Sequence, residues 1–241
     1  MAGTKGGRTH FGEAIGLITL DTQFPRFPGD AGNATSYNFP VRFKAVIGAT
    51  SKRLMEERDM TLLQPFVNAA KELENEGVRA ISTTCGFLAI FQKEMAEAVD
   101  IPVFSSTLMM IPLIQSMLGK DSKVGIITAN SSVLTKAHFE GAGVDSVPMA
   151  IGGLENGKEF SKLLANETIM DEEKVREEVV STAKKLIQEN PEIEAFLLEC
   201  SNLPPYSQRL REETGLPIFD LIGFVNLVYN SVVKNKFEGF L

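Results

Sequence analysis

Basic residues are in deficit: 24 Lys and Arg stand against 31 Asp and Glu, for a formal net charge of −7. Nucleic-acid binding, which needs a basic face to displace counterions from phosphate, is therefore not expected. Long hydrophobic runs are also missing. The longest candidate, around Met109–Leu118, is broken by Pro112, Gln115 and Ser116 and falls short of the roughly 18–20 apolar residues that cross a bilayer. The opening MAGTKGGRTH (Met1–His10) has Lys5 and Arg8 but no apolar region behind them, so it reads as a loose terminal arm rather than a secretory signal. The expectation is a soluble, cytoplasmic protein acting on a small molecule, with no nucleic-acid or membrane partner. Cysteine and histidine are scarce: Cys85, Cys200, His10 and His138 are the full set. They form no CxxC pair and no metal-ligand cluster, so neither a metal site nor a disulfide framework is expected.

What is present is enough apolar residue, 44% of a 241-residue chain with only 23% charged, to bury one large or two small domains. Short β-rich apolar runs alternate with amphipathic helical stretches, the pattern of a parallel sheet covered by helices. The strands are expected at 14–20, 42–47, 78–84, 103–105, 123–128, 146–150, 193–199 and 218–220. A helix over 61–76 carries Leu62, Leu63, Phe66, Val67, Ala70 and Leu73 at helical spacing and stops at Gly77. A second, over 171–189, carries Val175, Val179, Ala183, Leu186 and Ile187 and ends before Pro191.

The chain repeats itself. VRAISTTC, ending at Cys85, aligns with IEAFLLEC, ending at Cys200, and sixteen residues beyond each cysteine the repeat is completed by Ile101-Pro102-Val103-Phe104 and Leu216-Pro217-Ile218-Phe219. IGLITLD from Ile15 likewise resembles VGIITAN from Val124. The reading is α/β: two pseudo-symmetric parallel-sheet α/β/α domains, 1–106 with 217–241 and 107–216. Ligands of open parallel sheets bind beyond the carboxyl ends of the strands, which is where both cysteines fall. Two duplicated units facing each other carry Cys85 and Cys200 to opposite walls of one cleft. The plainer alternative is that both are small buried hydrophobes.

Inverting a carbon centre through a carbanion needs a base on one face and an acid on the other. Two facing thiols meet that need, one as thiolate and one as thiol, and a helix start beneath each is expected to lower its pKa. Small polar groups able to hold a substrate carboxylate surround them: Thr83, Thr84 and Gly86 in the first half, Ser201 and Asn202 in the second, with Thr128, Asn130 and Ser131 after the strand that repeats the first. The same residue types also cap helices. STTCGFLA, LLECSN, the IGLIT and VGIIT strands and ITANSS resemble the aspartate/glutamate racemase superfamily over nearly the whole chain. That group includes aspartate, glutamate and hydantoin racemases, maleate isomerase and arylmalonate decarboxylase, none with a metal or pyridoxal cofactor. The resemblance implies a cleft between two α/β domains, a homodimer, no cofactor, and Cys85 and Cys200 as the catalytic pair. Gly86-Phe87 and Ser201-Asn202 depart from the Asn-Thr and Thr-His that follow the cysteines in the best-known amino-acid racemases. Glu199 is then the nearby ionisable group, although on a regular strand it faces away from Cys200.

Between Asp21 and Val41 runs a segment rich in Pro, Gly and Asn, whose Phe24, Phe27, Tyr37 and Phe39 argue against disorder. It is read as a lid, in which Arg26 pairs with a substrate carboxylate, Asp30 meets an amino group and Asn33 binds either end. A self-packed loop is the alternative. Met109 and Met110 read as core filler and His138 as an exposed helix residue. The leading expectation is a cofactor-independent racemase of an amino acid such as aspartate or glutamate. The alternatives are a cysteine-dependent cis-trans isomerase of a dicarboxylate such as maleate, and a non-catalytic two-lobed binding protein.

Overall fold

In the computed structural model the described residues are 6–240; residues 1–5 of the opening arm, and Leu241, lie outside them. Two four-stranded parallel sheets form the frame. The first contains β1 (Ile15–Leu20), β2 (Val41–Val46), β3 (Ala80–Thr83) and β4 (Val103–Phe104) in the order β2-β1-β3-β4. The second contains β5 (Lys123–Thr128), β6 (Met149–Gly153), β7 (Ile193–Leu198) and β8 (Ile218–Phe219) in the order β6-β5-β7-β8. The second order is the first repeated, so the two matched sequence pairs occupy equivalent central strands. β3 and β7 are buried almost throughout, as the apolar runs that feed them require.

The helices are α1 (Leu63–Glu76), α2 (Gln92–Glu97), α3 (Ile111–Met117), α4 (Lys136–Gly141), α5 (Phe160–Leu164), α6 (Glu172–Glu189), α7 (Ser207–Thr214) and α8 (Leu221–Val232). α1 buries Phe66, Val67, Ala70 and Leu73 and ends at Gly77, whose φ of 99° is open to glycine without strain. α6 starts at Asp171, whose side chain accepts from the Lys174 amide, and buries Val175, Val179, Ala183 and Leu186. The chain closes on the first sheet, where Leu221 and Val225 of α8 pack with Ile15, Leu17, Ala80 and Phe104. Among the described residues no helix is long and apolar enough to cross a membrane.

All eight expected strands are present, with one displaced. β6 begins at Met149 rather than 146, because Pro148 has no N–H for the ladder and offers only its carbonyl, to the Val124 amide. His138 is buried, not exposed: its Nδ1 accepts the Thr135 amide at 3.0 Å at the start of α4, and its ring meets Phe87 edge-on at 5.2 Å.

Candidate active site

In a sheet of this order the crevice opens where the chain leaves the central strand in one direction and its neighbour in the other. That is the place between β1 and β3, and again between β5 and β7. The Thr84 amide bonds to Ile18 O and the Glu199 amide to Ile127 O, each at 2.9 Å, so both strands turn out of the sheet at the same point. Cys85 and Cys200 come next, each followed by a tight turn in which Leu88 N or Leu203 N returns to the cysteine carbonyl at 3.1 Å. The turns meet across the two halves: Ser201 Oγ donates to Thr84 O at 2.5 Å, while Gly86 lies against the carbonyl and carboxylate of Glu199. A Cβ on Gly86 would overlap both, so only glycine fits.

The two free thiols line one cavity of about 30 Å³ with Thr84, Gly86, Ser201, Asn202 and Arg26. Apolar side chains close the rest, among them Phe24, Met55, Phe87, Leu163 and Leu164. At this volume the cavity has room for about one or two waters, so a larger ligand enters only if the walls part.

The segment between β1 and β2 is seated across the cleft. The Ala31 amide bonds to Ser201 O at 3.1 Å, and Gly29 packs on Pro205. Arg26 reaches the cavity over the face of Phe24, 4.3 Å from its centroid, held by Asp30 and Thr22 at 2.9 Å each. Asp30 does not meet the cavity: buried, its carboxylate is taken by Arg26, the Gly32 amide and Asn202 Nδ2, the last at 2.7 Å. Asn33 is likewise spent locally, on Arg26 O and Thr35. Asn130 and Ser131 are placed outside as well. Asn130 Oδ1 caps Ser132, whereas Ser131 donates to Glu155 and lines a separate groove of about 620 Å³. Thr128 is buried and donates to Glu199 Oε2 at 2.7 Å.

Glu199 follows β7 directly: its amide continues the ladder to Ile127 O, and its side chain lies beside Thr128 and beneath the Cys85 turn rather than among the cavity-lining residues with Cys200. It is 1% exposed, and its Oε1 has no hydrogen-bond partner. Burial pushes its carboxyl up to about 7, against the pull of the Thr128 hydrogen bond. The thiols are not lowered by helix starts as expected. The segments after the cysteines are short 3₁₀ turns, and burial, reinforced by the Glu199 charge, pushes Cys85 up to about 12 despite the Phe87 and Leu88 amides and Arg26. Cys200 is raised as well, by burial first and then by Glu199. Its Sγ donates to Asn202 Oδ1 at 3.4 Å. Asp30 dictates that arrangement, because a carboxylate only accepts and must face the amide NH₂. Thr84 Oγ1, like Glu199 Oε1, is buried without a partner. Among the described residues no group of three His, Cys, Asp or Glu is placed to hold a metal ion.

A dimethylsulfoniopropionate lyase of Durusdinium sp. clade D is 34% identical over 230 residues, covering 92% of this chain and 76% of that protein. Dimethylsulfoniopropionate lyase 5 of Emiliania huxleyi is 28% identical over 236 residues, covering 94% of this chain; the chain spans 47% of that lyase's length. A glutamate racemase isoform of Bacillus anthracis superposes with a TM-score of 0.60 at 14% identity, over 92% of this chain and 85% of that one, which is a likeness of fold. The expectation of an amino-acid racemase or other isomerase is overturned, since curated relatives matching nearly all of the chain are lyases. The Asp/Glu/hydantoin racemase profile matches residues 41–223, and with two repeated parallel sheets and a cysteine at the end of each matching strand, the chain belongs to that family.

Proposed function

We propose that this chain is a lyase that cleaves dimethylsulfoniopropionate into dimethyl sulfide and acrylate. The observation that carries the reading is the 34% identity to such a lyase across 92% of the chain, a span that includes both thiols of the cavity. The substrate carries a carboxylate at one end and a dimethylsulfonium cation on the β-carbon. A thiolate takes the α-proton; the C–H electron pair becomes the C=C bond, and the Cβ–S pair leaves with sulfur as neutral dimethyl sulfide. The leaving group needs no proton, so the reaction releases one net proton and requires one base rather than an acid–base pair.

The hydrogen bonds favour Cys85 as that base. Amides face both sulfurs, but Cys85 lies in the field of Arg26 and has no side-chain acceptor for its proton, whereas Cys200 donates its proton to Asn202 Oδ1. The Arg26 guanidinium and the unpartnered Thr84 hydroxyl suit the substrate carboxylate and the enolate-like charge that develops on it. The apolar walls suit the sulfonium methyls, and the cation stabilises a neighbouring thiolate. The test is headspace detection of dimethyl sulfide from the purified protein with dimethylsulfoniopropionate. Release by the wild type and its loss in the Cys85→Ser/Cys200→Ser double variant are expected; no release from folded wild type contradicts the reading.

A further inference from the structure

An elimination leaves its proton on the enzyme, and a buried thiol must lose one before each turnover. Burial opposes adding a charge to the cavity, not moving a charge within it. Releasing the Cys85 proton to solvent while Glu199 is ionised would leave two anions together in a buried place. Passing it to Glu199 leaves one. The carboxylate lies beside the thiol's turn: Oε2 is held by Thr128, while Oε1 is free of any hydrogen bond and lies against Gly86, the residue bonded to Cys85.

We propose that Glu199 accepts the thiol proton of Cys85 to form the thiolate, and returns that proton to water once the products have left. This inference rests on the lyase reading. Thiol and carboxylate become thiolate and carboxylic acid. The thiolate then takes the substrate α-proton and is a thiol again as dimethyl sulfide departs, and the carboxylic acid releases one proton per turnover. Glu199 acts through the thiol and does not touch the substrate, so it is a positioning residue for the proton.

The titratable and charged groups around this pair are Cys200 on the second turn, itself in the field of Asp30, and Arg26 on the seated segment; β5 contributes the neutral Thr128 and the β4–α3 connection the neutral Thr107, which donates to Leu198 O at 2.9 Å. The carboxylate and thiol titrate as a coupled pair. The first test needs no substrate: alkylation of Cys85 by iodoacetamide, followed by peptide mass spectrometry from pH 5 to 10. In the wild type the rate rises through a step near pH 7, as Glu199 ionises, ahead of the further rise from direct ionisation of Cys85 at high pH. Glu199→Gln loses the step, and its rate climbs continuously with pH.

The second test is the pH profile of kcat/KM for dimethyl sulfide release. Glu199→Gln lowers it about 100-fold at pH 7, with at least about tenfold of that loss recovered by pH 10. Thr128→Val, which removes a hydrogen bond to the carboxylate, moves the ascending limb to higher pH by less than one unit. Identical alkylation profiles in wild type and Glu199→Gln, or a loss of activity equal at every pH, overturn the inference. A wild type that shows the alkylation step but releases no dimethyl sulfide overturns the lyase reading and leaves the proton transfer standing.

Discussion

Cys85 and Cys200 close equivalent strands and enter equivalent turns, yet their neighbours differ at every position. Thr84, Gly86 and Phe87 stand in the first turn where Glu199, Ser201 and Asn202 stand in the second. Gly86 makes room for the Glu199 carboxylate, while Ser201 reaches back to Thr84 O. Both turns present an amide to their thiol, but the Asn202 side chain, fixed by Asp30, accepts the Cys200 proton, whereas Phe87 offers Cys85 an apolar ring. A racemase passing protons in both directions benefits from two thiols of matched strength. An elimination proceeds in one direction and releases a proton, and the unequal turns suit it: one thiol lies in the field of Arg26 with no side-chain acceptor for its proton, while the other has its proton held by Asn202.

The sharpest way to break this comparison is to truncate the two thiols separately. Cys85→Ser is expected to lower kcat/KM for dimethyl sulfide release by about 1,000-fold or more, and Cys200→Ser by distinctly less, because serine retains a hydroxyl for Asn202. Steady-state assays of both variants check it, and the reverse order would make Cys200 the base. Next in size is Gly86→Ala, whose added Cβ collides with the Glu199 carbonyl and carboxylate. Overpacking of this kind costs roughly 1–3 kcal/mol, read as a lower Tm, and displacing Glu199 lowers activity by about 100-fold. The matched change, Ser201→Ala, only removes the hydroxyl bonded to Thr84 O and should cost about 1 kcal/mol with a small effect on rate.

The repeat was legible because strands and turns are encoded locally. IGLIT with VGIIT and the two cysteine strands mark the central strands of both sheets, and the sheet order follows from them. Side-chain direction was legible only within the strands. Glu199 lies one residue beyond β7, and strand pattern alone does not reveal that its carboxylate is buried between Thr128 and the Cys85 turn. His138, between Lys136 and Glu140, reads as solvated until Thr135 and Phe87 are seen to enclose it. Asn130 and Ser131 follow their strand as a cleft residue should, but Ser132 and Glu155 claim them. Competition for hydrogen bonds across the fold decided these cases, and it leaves no local pattern.

A smaller effect separates Glu199 from the rest of the molecule. Its carboxyl titrates near 7 in the fold and near 4.5 when unfolded, so the fold holds the extra proton between these values and stability falls as pH rises through them. His138, lowered by burial from 6.5 to about 4, acts with the opposite sign: the unfolded chain holds the extra proton, and stability rises with pH. The two oppose each other between pH 4.5 and 6.5, so each masks part of the other's effect on Tm. Glu199→Gln should make Tm rise with pH over that range by a few degrees, measured by calorimetry. A Tm profile unchanged by the substitution would mean that Glu199 does not hold the extra proton.

The most direct test of the central claim, one-way elimination rather than return of the proton to carbon, is a reaction of dimethylsulfoniopropionate in D₂O followed by proton NMR. Acrylate and dimethyl sulfide are expected in equal amounts. Recovery of intact substrate, with or without deuterium at its α-carbon, and no acrylate would contradict it.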